Sequence, residues 1–320
     1  MSDAACPRCG VPRVPAPECP RCGVIYARAE ARARQLAALT AEQAGPAFDF
    51  SAPERPPHLP PETPAWDGDA EERATEARLR LIAPPVVLGL SFLLVSTKPG
   101  AFIARVTSGM WLHELGHAVC AWLCGYSAVP LPWFTSIGGT KSPMLTLLFV
   151  AFWSYLAYRA HRAGQPFRRG AFASIAALHL LLAAALGRSQ AQAAITFFGD
   201  GGALLLGAAL MSTFYVAPGS RLHQGALRWG LLGIGALGFA DVLMPWLRAV
   251  GDRDEIPFGR IEGIGLSDPS KLVDVHGITV GGMVRTYLAV GALALLATAA
   301  IYVVHAVRFA WQLRQPGAQR

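Results

Sequence analysis

Residues 111–120 read WLHELGHAVC, with two histidines and a glutamate set among apolar residues. With 3.6 residues per helical turn, His113 and His117 lie about 40° apart on one face. Both imidazoles can therefore reach the same point, and Glu114 lies beside them. Ionisable side chains are costly inside a membrane, so three of them together in an apolar helix indicate a functional site.

HELGH has the residue types and spacing of a helical zinc site. Two histidines at i and i+4 bind one metal ion, and the glutamate between them can accept a proton from water at that metal. We therefore predict that His113 and His117 are zinc ligands and that Glu114 is the catalytic base. Gly116 is expected to allow close helix packing. Cys120 and Cys124 continue the same stripe and are predicted to be packed small hydrophobes.

The composition is typical of a helical membrane protein. Of the 320 residues, 53% are hydrophobic and 15% charged, and the mean hydropathy is +0.36. The apolar residues form long blocks between short basic or Gly/Pro-rich breaks. The net charge of +7 is explained by basic flanks of membrane spans. Because basic and aromatic residues are not interleaved in a soluble domain, no nucleic-acid partner is expected.

Four of the six cysteines lie near the N-terminus in a repeated motif, Cys6-Pro-Arg-Cys9-Gly and Cys19-Pro-Arg-Cys22-Gly. Each CxxCG motif brings two thiolates to one metal, and two such motifs supply the closed four-cysteine set of a structural zinc ion. Such a site has no open coordination position, so this second zinc is expected to hold a fold. Docking of a protein partner or regulation is the expected role of the head.

The chain is predicted to divide into four parts. Residues 1–26 form the zinc-ribbon-like head, 27–80 a helical and Pro-rich linker, 81–310 the membrane domain and 311–320 a C-terminal tail. The fold class is an all-α polytopic membrane protein with six or seven transmembrane helices, one re-entrant or hairpin segment at 125–142, and the small zinc ribbon. Predicted spans lie near 81–97, 104–124, 143–159, 170–187, 193–217, 226–248 and 284–307.

The distribution of basic residues conflicts with seven full crossings. The arginines before the first span, and those near 161–169, 221–228 and 308–314, all favour the cytoplasm. Seven crossings would place the N-terminus on the opposite side from the three later groups. Either one block does not cross fully, or the 125–142 segment carries the chain across.

A catalytic zinc needs a third protein ligand, and later spans offer few candidates. Asp200 stands in GDGG, where the flanking glycines allow another helix or the metal site to approach closely. Asp241 is the alternative ligand, or a group that lines a water path or pairs with a loop arginine. His179 and His305 are predicted to be a packing and an interfacial residue. Glu255 and Glu262 in the polar loop 249–283 are weaker alternatives.

HELGH in a membrane helix, the Pro/Gly-rich apolar segment after it and the later DGG together resemble the site-2 protease family of intramembrane zinc metalloproteases. The resemblance covers roughly residues 104–217 and implies zinc ligation by His113, His117 and Asp200, with Glu114 as catalytic base. Gly199 replaces the leucine that usually precedes the family's aspartate.

The expected function is hydrolysis of peptide bonds in membrane-embedded proteins, as in regulated intramembrane proteolysis. The expected partners are a membrane-protein substrate, the lipid bilayer and a protein that binds the head. The expected cofactors are one catalytic and one structural zinc ion. The alternative is a metal-binding membrane protein without protease activity, such as a transporter, a sensor or an inactive homologue.

Overall fold

A computed structural model of the chain describes residues 5–6, 9, 11–12, 14–31, 34, 68–216, 220–223, 225–261 and 265–314. The chain divides into two compact units, Met1–Asp67 and Gly68–Arg320. Residues 35–67 of the predicted helical and Pro-rich linker lie outside the described residues, as do residues 315–320 of the tail.

The N-terminal unit contains the predicted four-cysteine cluster. The ligand atoms of Cys6, Cys9, Cys19 and Cys22 all lie within 4.8 Å of one another, and none of the six cysteines forms a disulfide. Both motifs turn back in the same way, with short antiparallel bridges Ala5–Pro12 and Glu18–Ile25. The backbone N–H of Arg21 hydrogen-bonds the Cys19 sulfur and lowers the pKa of that thiol to about 6, against the opposing effect of burial. A thiolate is the metal-binding form of cysteine, so the head fits a structural zinc ion.

The second unit is mostly helical. Its longer elements in chain order are α1 Gly68–Val95, α2 Lys98–Ala104, α3 Met110–Leu123, β1 Tyr126–Pro130, β2 Thr135–Lys141, α4 Pro143–Arg162, α5 Pro166–Ala185, α6 Arg188–Ser212, α7 Leu227–Arg248, β3 Arg260–Ile261, β4 Gly265–Leu266, α8 Asp268–Ser270 and α9 Val280–Arg314. A π-helical turn, Arg105–Gly109, joins α2 to α3.

Within the described residues, five helices are long and apolar enough to cross a membrane. They cover Ala74–Val95, Pro166–Ala185, Arg188–Tyr215, Leu227–Arg248 and Val280–Arg308. Many large apolar side chains of the second unit are exposed, as expected for surfaces in contact with lipid. The chain is therefore a multi-pass membrane protein. The helix α1 begins within the predicted linker, at Gly68, and continues through most of the first predicted span.

The segment 125–142 is a β-hairpin rather than a helix. β1 and β2 pair antiparallel, with Pro130 opposite Thr135 and a register irregularity between Tyr126 and Ala128. Lys141, the last residue of β2, donates to the carbonyls of Ala183 and Leu186 at 2.5 and 2.7 Å. The hairpin therefore ends beside the C-terminus of α5.

Contacts between helix ends give each helix a direction. Arg80 in α1 donates to the carbonyl of Val216 after α6 at 2.9 Å, and Arg228 in α7 pairs with Glu76 in α1. His305 in α9 stacks on Tyr215. We call this the basic end of the bundle; it contains the start of α1, the end of α6, the start of α7 and the end of α9.

The opposite end of the bundle contains the end of α1, the end of α7 and the start of α9. Arg248 at the end of α7 donates to the carbonyl of Ser96 after α1 at 3.1 Å, and Trp246 stacks on Tyr287 near the start of α9. Residues 98–141 begin beside the end of α7 and finish beside the end of α5, in this same half of the bundle. The predicted block 104–124 therefore has both ends in the same half of the bundle, and neither this block nor the predicted block 143–159 is among the five candidate spans.

Candidate metal centre

Three side chains of the second unit, two from α3 and one from α8, form a second group that could hold a metal. His113 and His117 in α3 and Asp268 in α8 each offer one ligand atom, and these atoms lie within 4.8 Å of one another. The two Nε2 atoms are 3.1 Å apart. Asp268 Oδ2 lies 3.1 Å from His113 Nε2 and 2.8 Å from His117 Nε2. Two imidazoles and a carboxylate are the donor set of many catalytic zinc sites, so the residues fit this ion.

Each histidine is held from its other ring nitrogen by α6. His113 Nδ1 lies 2.8 Å from Asp200 Oδ1, and His117 Nδ1 lies 2.7 Å from the carbonyl oxygen of Ile195. Partners of this kind fix the tautomer and orientation of metal-binding histidines. Trp246 in α7 donates to the second oxygen of Asp200 at 2.9 Å. The α6 backbone and the Asp200 carboxylate thus aim both Nε2 atoms at one point.

This arrangement differs from the predicted ligand set. Asp200 is close to His113, as predicted, but it contacts Nδ1 and not the Nε2 that faces the other donors. Asp268, which was not among the predicted ligands, occupies the third donor position. Its only local signal is Ser267-Asp268-Pro269, a helix start in which Ser267 caps the N-terminus, and such starts are common in loops without any ligand.

Asp268 lies outside the five candidate spans, in the polar segment between α7 and α9. Burial opposes ionisation of its carboxyl group, but hydrogen bonds with His113 and His117 outweigh burial and lower the pKa of Asp268. The carboxylate form is the one that binds a metal ion. A segment outside the spans therefore supplies the third donor to a site whose two histidines lie on α3.

Glu114 faces the same region and is held by the β-hairpin. Its side chain is 5% exposed, and Thr135 Oγ1 lies 2.7 Å from Glu114 Oε2 and 2.8 Å from the Glu114 carbonyl oxygen. The hydroxyl of Thr135 can donate to either oxygen. The first residue of β2 thus fixes the position of the carboxylate that HELGH predicts to be catalytic.

A cavity of about 580 Å³ contains these groups. Its walls come from α3, from the hairpin with the turn before β2, from α6 and from the polar segment after α7. The residues that line it include Trp133, Phe134, Thr135, Phe258, Arg260 and Lys271. Asp200 lies midway along α6, so the cavity reaches into the span. Part of the cavity wall is formed by the polar segment after α7.

Two other predicted candidates, Asp241 and His179, lie elsewhere in the bundle, and Glu262 lies outside the described residues. Asp241 is buried and pairs with Arg105 at 3.1 Å; its partner is an arginine of the π-helical turn, within the predicted span 104–124, and not the predicted loop arginine. His179 is buried and packs against Phe149 with ring centroids 5.7 Å apart. Neither residue belongs to the donor group of His113, His117 and Asp268. Cys120 and Cys124 are buried in a small apolar cluster with Ile195, consistent with packing.

Glycines bring α6 against α3 at this site. A Cβ on Gly199 would lie 2.6 Å from Cε1 of both His113 and His117, and a Cβ on Gly202 would lie 2.6 Å from the Cα of Gly116. Real Cβ atoms do not approach other atoms so closely. The predicted roles of Gly116 and Gly199 in close approach therefore correspond to specific contacts in the structure.

Gly199→Ala should displace both imidazoles and remove most of the metal from the His113/His117/Asp268 site, called the membrane site below. Overpacking of this kind costs about 1–3 kcal/mol of stability. Metal content of the purified variant, corrected for the head, measures the effect. Gly233→Ala in α7 is the matched control, since a Cβ there meets nothing within 4 Å. Wild-type metal content in Gly199→Ala would mean that the close approach does not matter for binding.

The fold and these two groups define a multi-pass membrane protein with two candidate metal centres, a four-cysteine cluster and a His/His/Asp site. No protein-family model matches the chain, and neither the curated proteins nor the solved structures contain a match.

Proposed function

We propose that this protein is an intramembrane zinc metalloprotease that hydrolyses peptide bonds of membrane-embedded proteins, as the resemblance to site-2 proteases implies. One observation carries the proposal: Glu114 lines the same cavity as the His113/His117/Asp268 group, within a bundle of membrane helices. A metal site that only bound or transported an ion would not need a carboxylate in the general-base position of HELGH.

His113, His117 and Asp268 would hold the catalytic zinc. Zinc, when bound, supplies Lewis-acid activation of water and of the scissile carbonyl at neutral pH. Glu114 takes the proton of the attacking water and passes it to the leaving amine. Asp200 and the carbonyl of Ile195 keep the two imidazoles in place, and Thr135 keeps Glu114 in place.

The cavity walls support an extended, largely apolar substrate segment. An intact transmembrane helix hides its carbonyl groups, so the cleaved segment must unwind. Within the described residues, β2 pairs only with β1, and Thr135 and Ile137 of β2 line the cavity. An unwound substrate strand can pair with this edge while its apolar side chains pack against Trp133, Phe134 and Phe258.

The proposal is tested by comparing cells that carry the wild-type protein with cells that carry Glu114→Gln. Enrichment of protein N-termini should identify new termini within or next to transmembrane segments only in the wild type. Purified wild-type protein in detergent should then cleave the identified segment, and a zinc chelator should stop the reaction. Absence of any Glu114-dependent terminus would contradict the proposal.

We infer further that the basic end of the bundle faces the cytoplasm. Arg80 and Arg228 lie at that end, and Arg221 lies shortly before α7. Because α5 ends next to the start of α6, we expect the turn between α4 and α5, with His161, Arg162, Arg168 and Arg169, at the same basic end, in agreement with the positive-inside rule. The start of α1 then lies on the cytoplasmic side, and the polar segment after α7 lies on the other side. The predicted cytoplasmic location of the head is consistent with this orientation.

Single cysteines test this orientation. In intact cells, a membrane-impermeant maleimide should label Asp252→Cys, after α7, and should not label Gly164→Cys, between α4 and α5, until the membrane is opened. Native Cys120 and Cys124 are buried. A variant with serine in place of the introduced cysteine at each position gives the background labelling. The reverse labelling pattern would show that the basic end faces outward.

A further inference from the structure

Lys271 lies three residues after the donor Asp268 and lines the same cavity. Its Nζ is 3.0 Å from Asp268 Oδ1, and its side chain is 37% exposed while that of Asp268 is 16% exposed. The proposed mechanism assigns no role to this lysine. It is nevertheless the cation paired with the donor carboxylate.

The two oxygens of Asp268 have different partners. Oδ2 faces the Nε2 atoms of His113 and His117, whereas Oδ1 accepts from Lys271. A carboxylate can bind a metal through one oxygen or through both. Because the ammonium group engages Oδ1, only Oδ2 is directed at the point where the imidazoles converge.

The backbone around this pair is fixed by buried contacts. Ser270 is buried, and its hydroxyl accepts from the backbone N–H of Gly259 at 2.9 Å. Leu272 is fully buried in the main apolar core. Lys271 is therefore anchored by both of its neighbours, while its ammonium group reaches the cavity.

We propose that Lys271 is a positioning residue that restricts Asp268 to coordination through one oxygen. A catalytic zinc requires three protein ligands and an open position for water or substrate. A carboxylate that binds through both oxygens would compete for that position. The consequence for catalysis rests on the proposed function, whereas the effect of Lys271 on metal coordination is independent of proteolysis.

The test uses the full-length protein with Co²⁺ in the membrane site. Four-coordinate Co²⁺ absorbs visible light more strongly than five-coordinate Co²⁺. We expect Lys271→Met to lower this absorption. Its Co²⁺ affinity should change by no more than about 10-fold, which is at the small end of the effects on metal affinity seen when residues that contact metal ligands are changed. The kcat for an identified substrate should fall about 10-fold or more with little change in KM, and Lys271→Arg should restore much of both signals.

Lys98→Met is the matched control, because Lys98 is an exposed lysine at the start of α2 and does not line the cavity. It should behave as the wild type in both measurements. A wild-type cobalt spectrum in Lys271→Met would overturn the inference even if activity fell. If the wild type binds Co²⁺ but cleaves no protein, the proposed function fails, while the spectra of Lys271→Met and Lys271→Arg still decide the role of Lys271.

Discussion

Glu114→Gln should reduce cleavage of a membrane substrate by about 10²- to 10⁴-fold, the usual contribution of a general base. Gln has the size of Glu but cannot accept the proton of the attacking water. Its amide oxygen can still accept the hydrogen bond from Thr135, so the fold and the hairpin contact should be retained. Rates of product formation by purified wild-type and variant protein measure the effect.

Metal content separates a chemical effect from a structural one. Glu114 is not in the donor group of His113, His117 and Asp268, so the Glu114→Gln protein should keep its metal in the membrane site. Glu255→Gln, in the polar segment after α7, is the matched control and should cleave at the wild-type rate. Cleavage at that rate by Glu114→Gln would instead favour a metal-binding protein without protease activity.

Asp268→Ala should remove the metal from the membrane site, whereas Asp200→Ala should weaken its binding by about 10- to 100-fold. The first change deletes a donor whose oxygen lies 2.8 Å from His117 Nε2. The second leaves all three donors and removes only the partner of His113 Nδ1, an outer contact with effects of that size. Metal titrations of the purified variants give both affinities.

Two features make this comparison decisive. The four cysteines of the head are unchanged in both variants, so their metal provides an internal reference in each sample. Asp274→Ala removes an exposed carboxylate from the same segment as Asp268 and should bind metal as the wild type does. Loss of the metal in Asp200→Ala together with retention in Asp268→Ala would restore Asp200 as the third ligand.

Local patterns predicted a large part of this structure. The i, i+4 spacing of His113 and His117 places both imidazoles on one face of any helix, and the repeated CxxCG brings four thiolates together by short turns. Long apolar blocks predicted the five candidate spans, whereas the predicted blocks 104–124 and 143–159 are not among them. The glycines around Asp200 predicted that another helix or the metal site lies close to the backbone there, because a missing side chain permits such an approach wherever the helix packs.

The placement of one predicted span depended on contacts between distant parts of the chain. The block 104–124 has the composition of a span, but its ends lie in the same half of the bundle. That placement results from the packing of α3 on α6 and from the contact of Lys141 with the end of α5. Composition describes how a segment partitions into lipid, and it does not specify where the ends of that segment lie.

The sequence by itself determined that this is a membrane protein with a helical His/Glu/His motif and a four-cysteine head, since these properties arise from residues close together in the chain. Only the tertiary structure decided which carboxylate completes the donor group. Asp200 and Asp268 are both near His113, but they contact opposite nitrogens of its ring. The side of an imidazole that a carboxylate reaches depends on how α3, α6 and the segment after α7 pack, and no local pattern encodes that geometry.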